Sequence, residues 1–361
     1  MNPRVLHVVN SRSHESIPLE LAQRLPSAGV ETAVATYYRG EAGAPSVSDD
    51  IEWFPLDASG RVSAGAATRF RAAVRDFKPD IVHVHHFPSA QMAAVLLGGR
   101  RAPKLVKTEH NDHRRQPFHQ NAAVLPVFAR SARVLCNSQA TLESFYPWER
   151  VLVRGRAVAA LNGVDVERVR RAEKVEVPLD GFVIAAVGRC VPQKNLSRLI
   201  DAFSIAGSAE PDLRLVVVGG GRQEAALRRQ IANLGLAEAV HVTGIVPRDT
   251  VYGILRTADA AVVPSLWEGF CNAAVEAMAA GLPLAASDLP VLREVLGDVP
   301  SYFDPTDVEA LASALVSLRR RTDDSGARRG VLRATEGLSL DAAARRYADS
   351  YRDLAGEGPP R

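Results

Sequence analysis

The stretch "EGFCNAAVE", residues 268–276, sets a glutamate at each end of nine residues, with Gly-Phe, one cysteine, one asparagine and small apolar residues between them. A surface helix spreads its charges more evenly, and a core helix carries none. Two carboxylates beside small residues can accept hydrogen bonds from hydroxyl groups and leave room for a ligand. The preceding run "DAAVVPS" reads as a buried strand. Residues 265–270 are then expected as a loop at its carboxyl end, and 272–280 as a helix whose first turn presents free N–H groups. This puts Glu268 in the loop and Glu276 about one turn into the helix, both toward one cleft. Paired acids beside an anion-attracting helix start fit a nucleotide-linked sugar. The plainer alternative is a helix-capping glutamate and a solvated one.

Two glycine turns point the same way. In "AAVGRCVPQKN", 185–195, a strand ends at Gly188, and Arg189 and Lys194 follow before a helix starts near Asn195. Ligands of open parallel sheets sit beyond the carboxyl ends of the strands, where two cations would add charge-assisted bonds to a diphosphate. In "VVVGGGRQEAAL", 216–227, Gly219, Gly220 and Gly221 open a helix without the spacing of the dinucleotide fingerprint. Solvated cations and a ligand-free tight turn are the bland readings of these two stretches.

"DIVHVHHFPS" and "KTEHNDHRRQPFH" hold six of the nine histidines: His83, His85, His86, His110, His113 and His119. Strand alternation gives His83 and His85 one face and His86 another. No spacing among them is diagnostic of a metal site, so no metal is expected. His110 follows a strand at a candidate active-site turn. Arg114 and Arg115 beside it suggest a phosphorylated or anionic acceptor, with a solvated basic loop as the alternative.

These residues need elements to carry them. Strands are expected at Val5–Val9, Glu31–Tyr37, Ile81–His85, Lys104–Lys107 and Arg133–Cys136, then near 181–187, 213–218, 240–243, 259–263 and 283–286. Helical stretches lie near 17–26, 65–77, 89–98, 122–131 and 138–145, then near 195–206, 222–234, 248–257, 272–280 and 290–296. Near-continuous apolar runs such as "LRLVVVGG" are what parallel strands covered on both faces require. Two series of βα units imply two doubly wound α/β domains. The pattern pauses over 161–181, the tail from Ser339 has helical spacing, and "RRRTDDSGARRG", 319–330, reads as a charged surface run.

Composition agrees: 361 residues favour two domains, and 47% hydrophobic with 24% charged residues suits a globular protein. A net charge of +3 gives no field for nucleic acid but is compatible with anionic ligands or a membrane surface. Cys136, Cys190 and Cys271 are too scattered for a disulfide framework or a metal site. The apolar run at the N-terminus is cut by His7 and is too short for a signal-peptide core, and no run approaches a membrane span. The expectation is a cytoplasmic protein, with peripheral contact to the inner face of the membrane left open.

The second half resembles the retaining glycosyltransferases of family 4, which have the GT-B fold. Their motif is a pair of glutamates in a context like "PSxxEGFxxxxxEAMAxGxPxxAS", and this chain reads "PSLWEGFCNAAVEAMAAGLPLAAS" over 264–287. "VGRCVPQKN" matches the family's "GRLxxxKN" turn, "NGVD" at 162–165 its hinge-side loop, and "VVVGGG" its nucleotide-side strand. Residues 150–300 carry the resemblance strongly, the N-terminal half only in pattern.

The resemblance implies two Rossmann-like domains facing across a cleft: 1–165 on the acceptor side, 166–338 for the donor, and a helix over 339–361 crossing back to the first domain. It assigns Glu268 to donor-sugar hydroxyls, Glu276 to ribose hydroxyls, and Arg189 and Lys194 to the diphosphate. Phe270, Cys271 and Asn272 would offer backbone groups to sugar and phosphate, with Gly188 at the phosphate turn. Gly219, Gly220 and Thr243–Val246 would lie near the base. His110 matches a histidine that touches the donor sugar. Where the family often has Gly-Gly after the first strand, this chain has Arg12 and Ser13, and Arg12 is a candidate replacement contact to phosphate. The implied reaction moves a hexose from a nucleotide-sugar donor (UDP or GDP) with retention and no metal, to an acceptor the resemblance does not identify, in glycan, glycolipid or natural-product glycoside synthesis; an anionic or lipid-linked acceptor is one candidate. The alternatives are a sugar-nucleotide epimerase or phosphorylase of the same fold, and a non-catalytic nucleotide-sugar binding protein.

Overall fold

A computed structural model describes residues 2–10, 17–39, 51–99 and 102–356. The chain divides into two compact units, one of residues 1–163 with 340–361, the other of Val164–Ser339. Arg12 and Ser13 lie outside the described residues.

The first unit runs β1 (Arg4–Val9), α1 (Ile17–Arg24), β2 (Glu31–Tyr38), β3 (Glu52–Ala58), α2 (Ala64–Phe77), β4 (Ile81–Val84), α3 (Phe87–Leu96), β5 (Lys104–Glu109), α4 (Phe118–Arg130), β6 (Ser131–Cys136), α5 (Gln139–Glu143), α6 (Pro147–Val153) and β7 (Ala157–Ala159). Its sheet is parallel, in the order β3-β2-β1-β4-β5-β6-β7. The order reverses between β1 and β4, the place where doubly wound sheets open a crevice. Strand β3 escapes the sequence pattern because it is an edge strand carrying Pro55, Glu52 and Asp57, and only an edge tolerates a residue that cannot donate to the ladder.

In the second unit come α7 (Val166–Arg171), β8 (Phe182–Val187), α8 (Leu196–Ala209), β9 (Leu213–Val218), α9 (Glu224–Asn233), β10 (Val240–Val242), α10 (Arg248–Leu255), β11 (Ala260–Val263), α11 (Asn272–Ala279), β12 (Leu284–Ser287), α12 (Pro290–Leu296), β13 (Ser301–Phe303), α13 (Val308–Arg319) and α14 (Ser325–Gly337). This sheet is parallel too, ordered β10-β9-β8-β11-β12-β13, with its reversal between β8 and β11. Helix α8 buries Leu196, Leu199, Ile200, Phe203 and Ala206 on one stripe, the spacing of a helix lying on a sheet. The pause at 161–181 contains the short helix α7. The run 319–330, read above as surface charge alone, closes α13 and opens α14, whose buried Ala327, Gly330 and Ala334 keep a helical stripe beneath the arginines. Val164 pairs with Ser339 in a parallel bridge, and its N–H donates to the Leu338 carbonyl at 2.9 Å, so the two ends of the second unit are tied together.

The last helix, α15 (Leu340–Gly356), belongs to the first unit. Ala343, Ala344, Tyr347, Ala348, Tyr351 and Leu354 recur at three- and four-residue spacing and pack on Val5, Leu21, Leu25, Ile81, Val106 and Leu135. Lys104 Nζ donates to the Leu354 carbonyl at 2.6 Å, a cation at the negative end of the helix. Arg346 Nη2 donates to the Leu161 carbonyl at 2.9 Å.

Candidate active site

In the second unit the sequence candidates converge at the sheet reversal. Gly188 directly follows β8, and Ser265–Phe270 follow β11, its neighbour. Gly219 adopts φ +133°, and a Cβ there would run into the Gly188 carbonyl oxygen, so only glycine lets these two turns touch. Asn195, at φ +54°, starts α8 and turns its side chain away from capping: Nδ2 donates to the carbonyls of Pro264 (3.1 Å) and Pro305 (2.8 Å), stapling the β8 turn to the β11 turn.

Lys194 and Glu268 meet directly across these turns. Lys194 Nζ donates to Glu268 Oε1 at 2.5 Å, Ser265 Oγ donates to the same oxygen at 2.7 Å, and Gln193 Nε2 approaches Oε2 at 3.4 Å. Burial alone would lower the ammonium's pKa, but the Glu268 carboxylate outweighs it and the net shift is upward, so Lys194 stays charged. The pairing itself was not foreseen, since the sequence reading gave the two residues different parts of one ligand. Arg189 is exposed and has no carboxylate within ion-pair distance among the described residues, which leaves its guanidinium open to an anion. Cys271 caps α11 in the left-handed region, φ +73°, a strained setting for a residue with a Cβ. Burial, then the nearby Glu268, pushes its thiol up to about 12, so it is a neutral filler and no nucleophile. Beside it, Asn272 Oδ1 is buried without a hydrogen-bond partner among the described residues, and Phe270 is buried. The N–H of Gly219 donates to Thr243 Oγ1 at 3.3 Å, which brings the triple-glycine turn against 243–246. There Val246 is half-buried, while Ile245 is 82% exposed.

Glu276 lies in the second turn of α11 and is buried, as no solvated residue would be. The sequence reading missed its partner. Arg248, the first residue of α10, donates from Nη2 to Glu276 Oε1 at 2.7 Å and from Nε to the Tyr252 hydroxyl at 2.5 Å. Tyr252 Oη stands 3.5 Å from the same carboxylate oxygen. A buried carboxylate needs such a partner, and the only sequence signal was an arginine directly after Pro247 at a helix start. Arg248→Met should therefore lower stability by about 3–5 kcal/mol, the cost of leaving one buried charge unpaired. Thermal melts check it, and an unchanged melting temperature would show that the pair holds nothing.

In the first unit, His110 follows β5 and sits above a buried chain of charges. Lys107 Nζ is 3.1 Å from Glu109 Oε1, Glu109 Oε2 is 3.5 Å from His113 Nε2, and His113 Nδ1 is 2.8 Å from Glu149 Oε1. Burial opposes ionisation of His113, but its two carboxylate partners raise it to about 9. Glu109, against the same opposition, is held at about 2 by Lys107 and His113. Two cations and two anions thus alternate, and each pays for its burial through a neighbour. His110 differs: burial, then Lys107 and His86, depress it to about 3. Its imidazole is neutral, with Nε2 buried and unpartnered among the described residues, while its carbonyl accepts from Asn137 Nδ2 at 3.1 Å.

Beneath it lies a histidine array spread over β1 and β4. His83 and His85 share a face, with ring centroids 4.1 Å apart, and His7 Nδ1 is 3.2 Å from His85 Nε2. Ring nitrogens of His7, His83 and His85 lie within 4.8 Å of one another, which is metal-ligand reach. Both nitrogens of the neutral His83 ring are already engaged, one donating and the other accepting: Nδ1 lies 2.5 Å from the Tyr351 hydroxyl and Nε2 2.7 Å from Thr108 Oγ1. The array is therefore built as a polar network tying β4 and β5 to α15.

Two parallel doubly wound units, with phosphate-type turns at the sheet reversal of the second, define the GT-B fold. The structure superposes on the Anabaena protein HepE in complex with UDP and glucose, with a TM-score of 0.79 at 18% identity over 98% of this chain and 100% of that one. Residues 15–168 match the family model described as Glycosyltransferase Family 4, and residues 168–324 that of Glycosyl transferases group 1. The D-inositol 3-phosphate glycosyltransferase of Jonesia denitrificans is 30% identical over 75% of this chain and 68% of its own length. The phosphatidyl-myo-inositol mannosyltransferase of Mycobacterium leprae is 36% identical over 178 residues, so the chain spans about half of that relative's length (47%). This chain belongs to glycosyltransferase family 4.

Proposed function

We propose that the protein transfers a hexose from a nucleoside diphosphate sugar to a hydroxylated acceptor, with retention of anomeric configuration. The observation that carries this reading is the Lys194–Glu268 pair at the sheet reversal, beside an exposed Arg189 and the start of α11. Lys194 and Arg189 hold the diphosphate. The negative charge that grows on the leaving oxygen strengthens both contacts in the transition state, the main catalytic effect of such a site. Glu268, steadied by Ser265, takes donor-sugar hydroxyls, and Gly188 lets the phosphate approach the backbone. Phe270, Cys271 and Asn272 offer main-chain groups, and the orphaned Asn272 side-chain oxygen is satisfied by a ligand hydroxyl. Glu276, held in place by Arg248, takes the ribose hydroxyls. Gly219, Gly220 and Val246 border the base, and exposed Ile245 covers its face. His110 keeps the role its family resemblance implies, a neutral imidazole for a sugar hydroxyl. Attack on the donor's front face, with the leaving diphosphate taking the acceptor proton, fits these groups.

Kinetics separate the roles. An interaction equal in ground and transition state changes KM alone, whereas one that grows changes kcat. Glu276→Gln should raise donor KM, and Lys194→Ala should lower kcat as well, each by about 10- to 150-fold for a charged hydrogen bond of about 1.5–3 kcal/mol. The measurement is initial rates with UDP- and GDP-sugars varied at saturating acceptor. An untouched kcat in Lys194→Ala would overturn the placement of the diphosphate.

A further inference from the structure

We propose that Arg114 and Arg150 form a phosphate-binding site of the first unit, built to hold a phosphate ester on the acceptor; this rests on the transferase reading above. The two guanidinia converge on one atom. Arg114 Nη2 donates to the Glu143 carbonyl oxygen at 3.0 Å and Arg150 Nη2 donates to the same oxygen at 2.5 Å, which caps the separation of the two nitrogens at 5.5 Å. Arg150 Nε is fixed as well, on the Phe145 carbonyl at 3.0 Å. Both side chains are exposed, and neither has a carboxylate within ion-pair distance among the described residues.

Acids do lie nearby, each with a hydrogen bond of its own, and none forms an ion pair with either arginine among the described residues. The Glu143 carboxylate accepts from Gln139 Nε2 at 2.9 Å, Glu149 is buried against His113 and the Tyr146 N–H, and Asp112 caps the Arg114 N–H at 2.9 Å. His113, itself a cation, stands directly before Arg114. Two like charges held this close by a neutral carbonyl repel each other until an anion enters between them. The N–H groups not spent on these carbonyls, those of Nη1 on each guanidinium among them, can reach the oxygens of one phosphate at the short distances of charge-assisted bonds. The helix that carries Arg150 also carries Trp148, part of an aromatic cluster: Tyr146 stacks on Trp148 (centroids 5.9 Å, planes 3° apart), and Phe118, 71% exposed, meets Trp148 edge-on at 6.2 Å. A cluster of this kind fits the apolar face of a polyol ring or a glycerol backbone. The β5–α4 loop that carries Arg114 also carries His110, so a phosphate anchored here belongs to the acceptor.

The chemistry is a phosphate ester, and two sources supply it: a water-soluble polyol phosphate or a phospholipid headgroup. Thermal shift with inorganic phosphate and glycerol 3-phosphate tests the first, and co-sedimentation with vesicles of phosphatidylcholine doped with phosphatidylglycerol, against phosphatidylcholine alone, tests the second. Arg114→Gln/Arg150→Gln should weaken whichever binding the wild type shows at least tenfold, while Trp148→Ala should weaken the glycerol ester and spare inorganic phosphate. The UDP-induced shift should be equal in wild type and double variant, so failure here is distinct from failure of the donor reading. Should the double variant not fold, Arg114→Glu alone, at an exposed side chain, carries the test. No phosphate-dependent shift and no anionic pelleting in the wild type would overturn the site, as would binding undiminished in the folded variants.

Discussion

Between pH 7.5 and 5.5 the folded protein is expected to lose about 5–7 kcal/mol of stability. The cause is the histidine array. Burial, reinforced among most of its members by neighbouring charges, holds His7 and His110 at about 3, His86 at about 4, and His83 and His85 well below their ordinary value. These five imidazoles stay neutral in the fold, whereas in the unfolded chain each takes a proton below about pH 6.5. A group whose folded pKa is depressed makes the unfolded state bind more protons, so stability falls as pH falls. Each imidazole costs roughly 1–2 kcal/mol by pH 5.5, and His113, raised to about 9 and of opposite sign, returns about 1 kcal/mol over the same interval. That loss rivals the whole stability of an ordinary domain. Melting curves across this pH range measure it. A melting temperature flat from 7.5 to 5.5 would mean that the array admits protons without unfolding.

Removing residues 339–361 should leave the first unit unable to fold. Helix α15 buries Tyr347, Tyr351, Leu340 and Leu354 almost completely. At about 1.5–3 kcal/mol for each large apolar side chain, these four account for about 6–12 kcal/mol, again as much as a domain has to lose. The truncation also strips His83 of its bond to the Tyr351 hydroxyl and leaves a buried polar atom unsatisfied. The expected outcome is an insoluble chain, or one whose far-UV circular dichroism keeps only part of the signal. A soluble truncated protein with a single cooperative melt at the full-length temperature would refute it. The milder Tyr351→Phe isolates the hydrogen bond and should cost about 1–3 kcal/mol.

Much of the architecture was legible because parallel strands covered on both faces leave an unmistakable apolar run, as in "LRLVVVGG" and "DAAVVPS". Elements that obey weaker constraints were not. Strand β3 carries a proline and acids because an edge tolerates them, and α14 hides its narrow buried stripe under arginines. At the candidate site, the types and spacing of Glu268, Glu276, Arg189 and Lys194 could be read directly, since motif residues lie close in sequence. Their partners could not: Arg248 reaches Glu276 from another helix, Asn195 bridges two distant carbonyls, and Arg114 meets Arg150 on a carbonyl that no side-chain pattern records. Periodicity did place His83 and His85 on one face, but His7 and Tyr351 join them only through the order of strands in the sheet and the return of the last helix.

That return has a consequence for how the protein is made. The second unit is an uninterrupted stretch, closed on itself where Val164 meets Ser339, whereas the first needs α15 to cover Val5, Ile81 and Leu135. On the ribosome the usual order is inverted: the unit begun first is finished last. At about 5–20 residues per second, the 176 residues of Val164–Ser339 take roughly 10–35 s to emerge. Throughout that interval the apolar face awaiting α15 is bare, and it is then, before release from the ribosome, that the nascent chain is most in need of a chaperone.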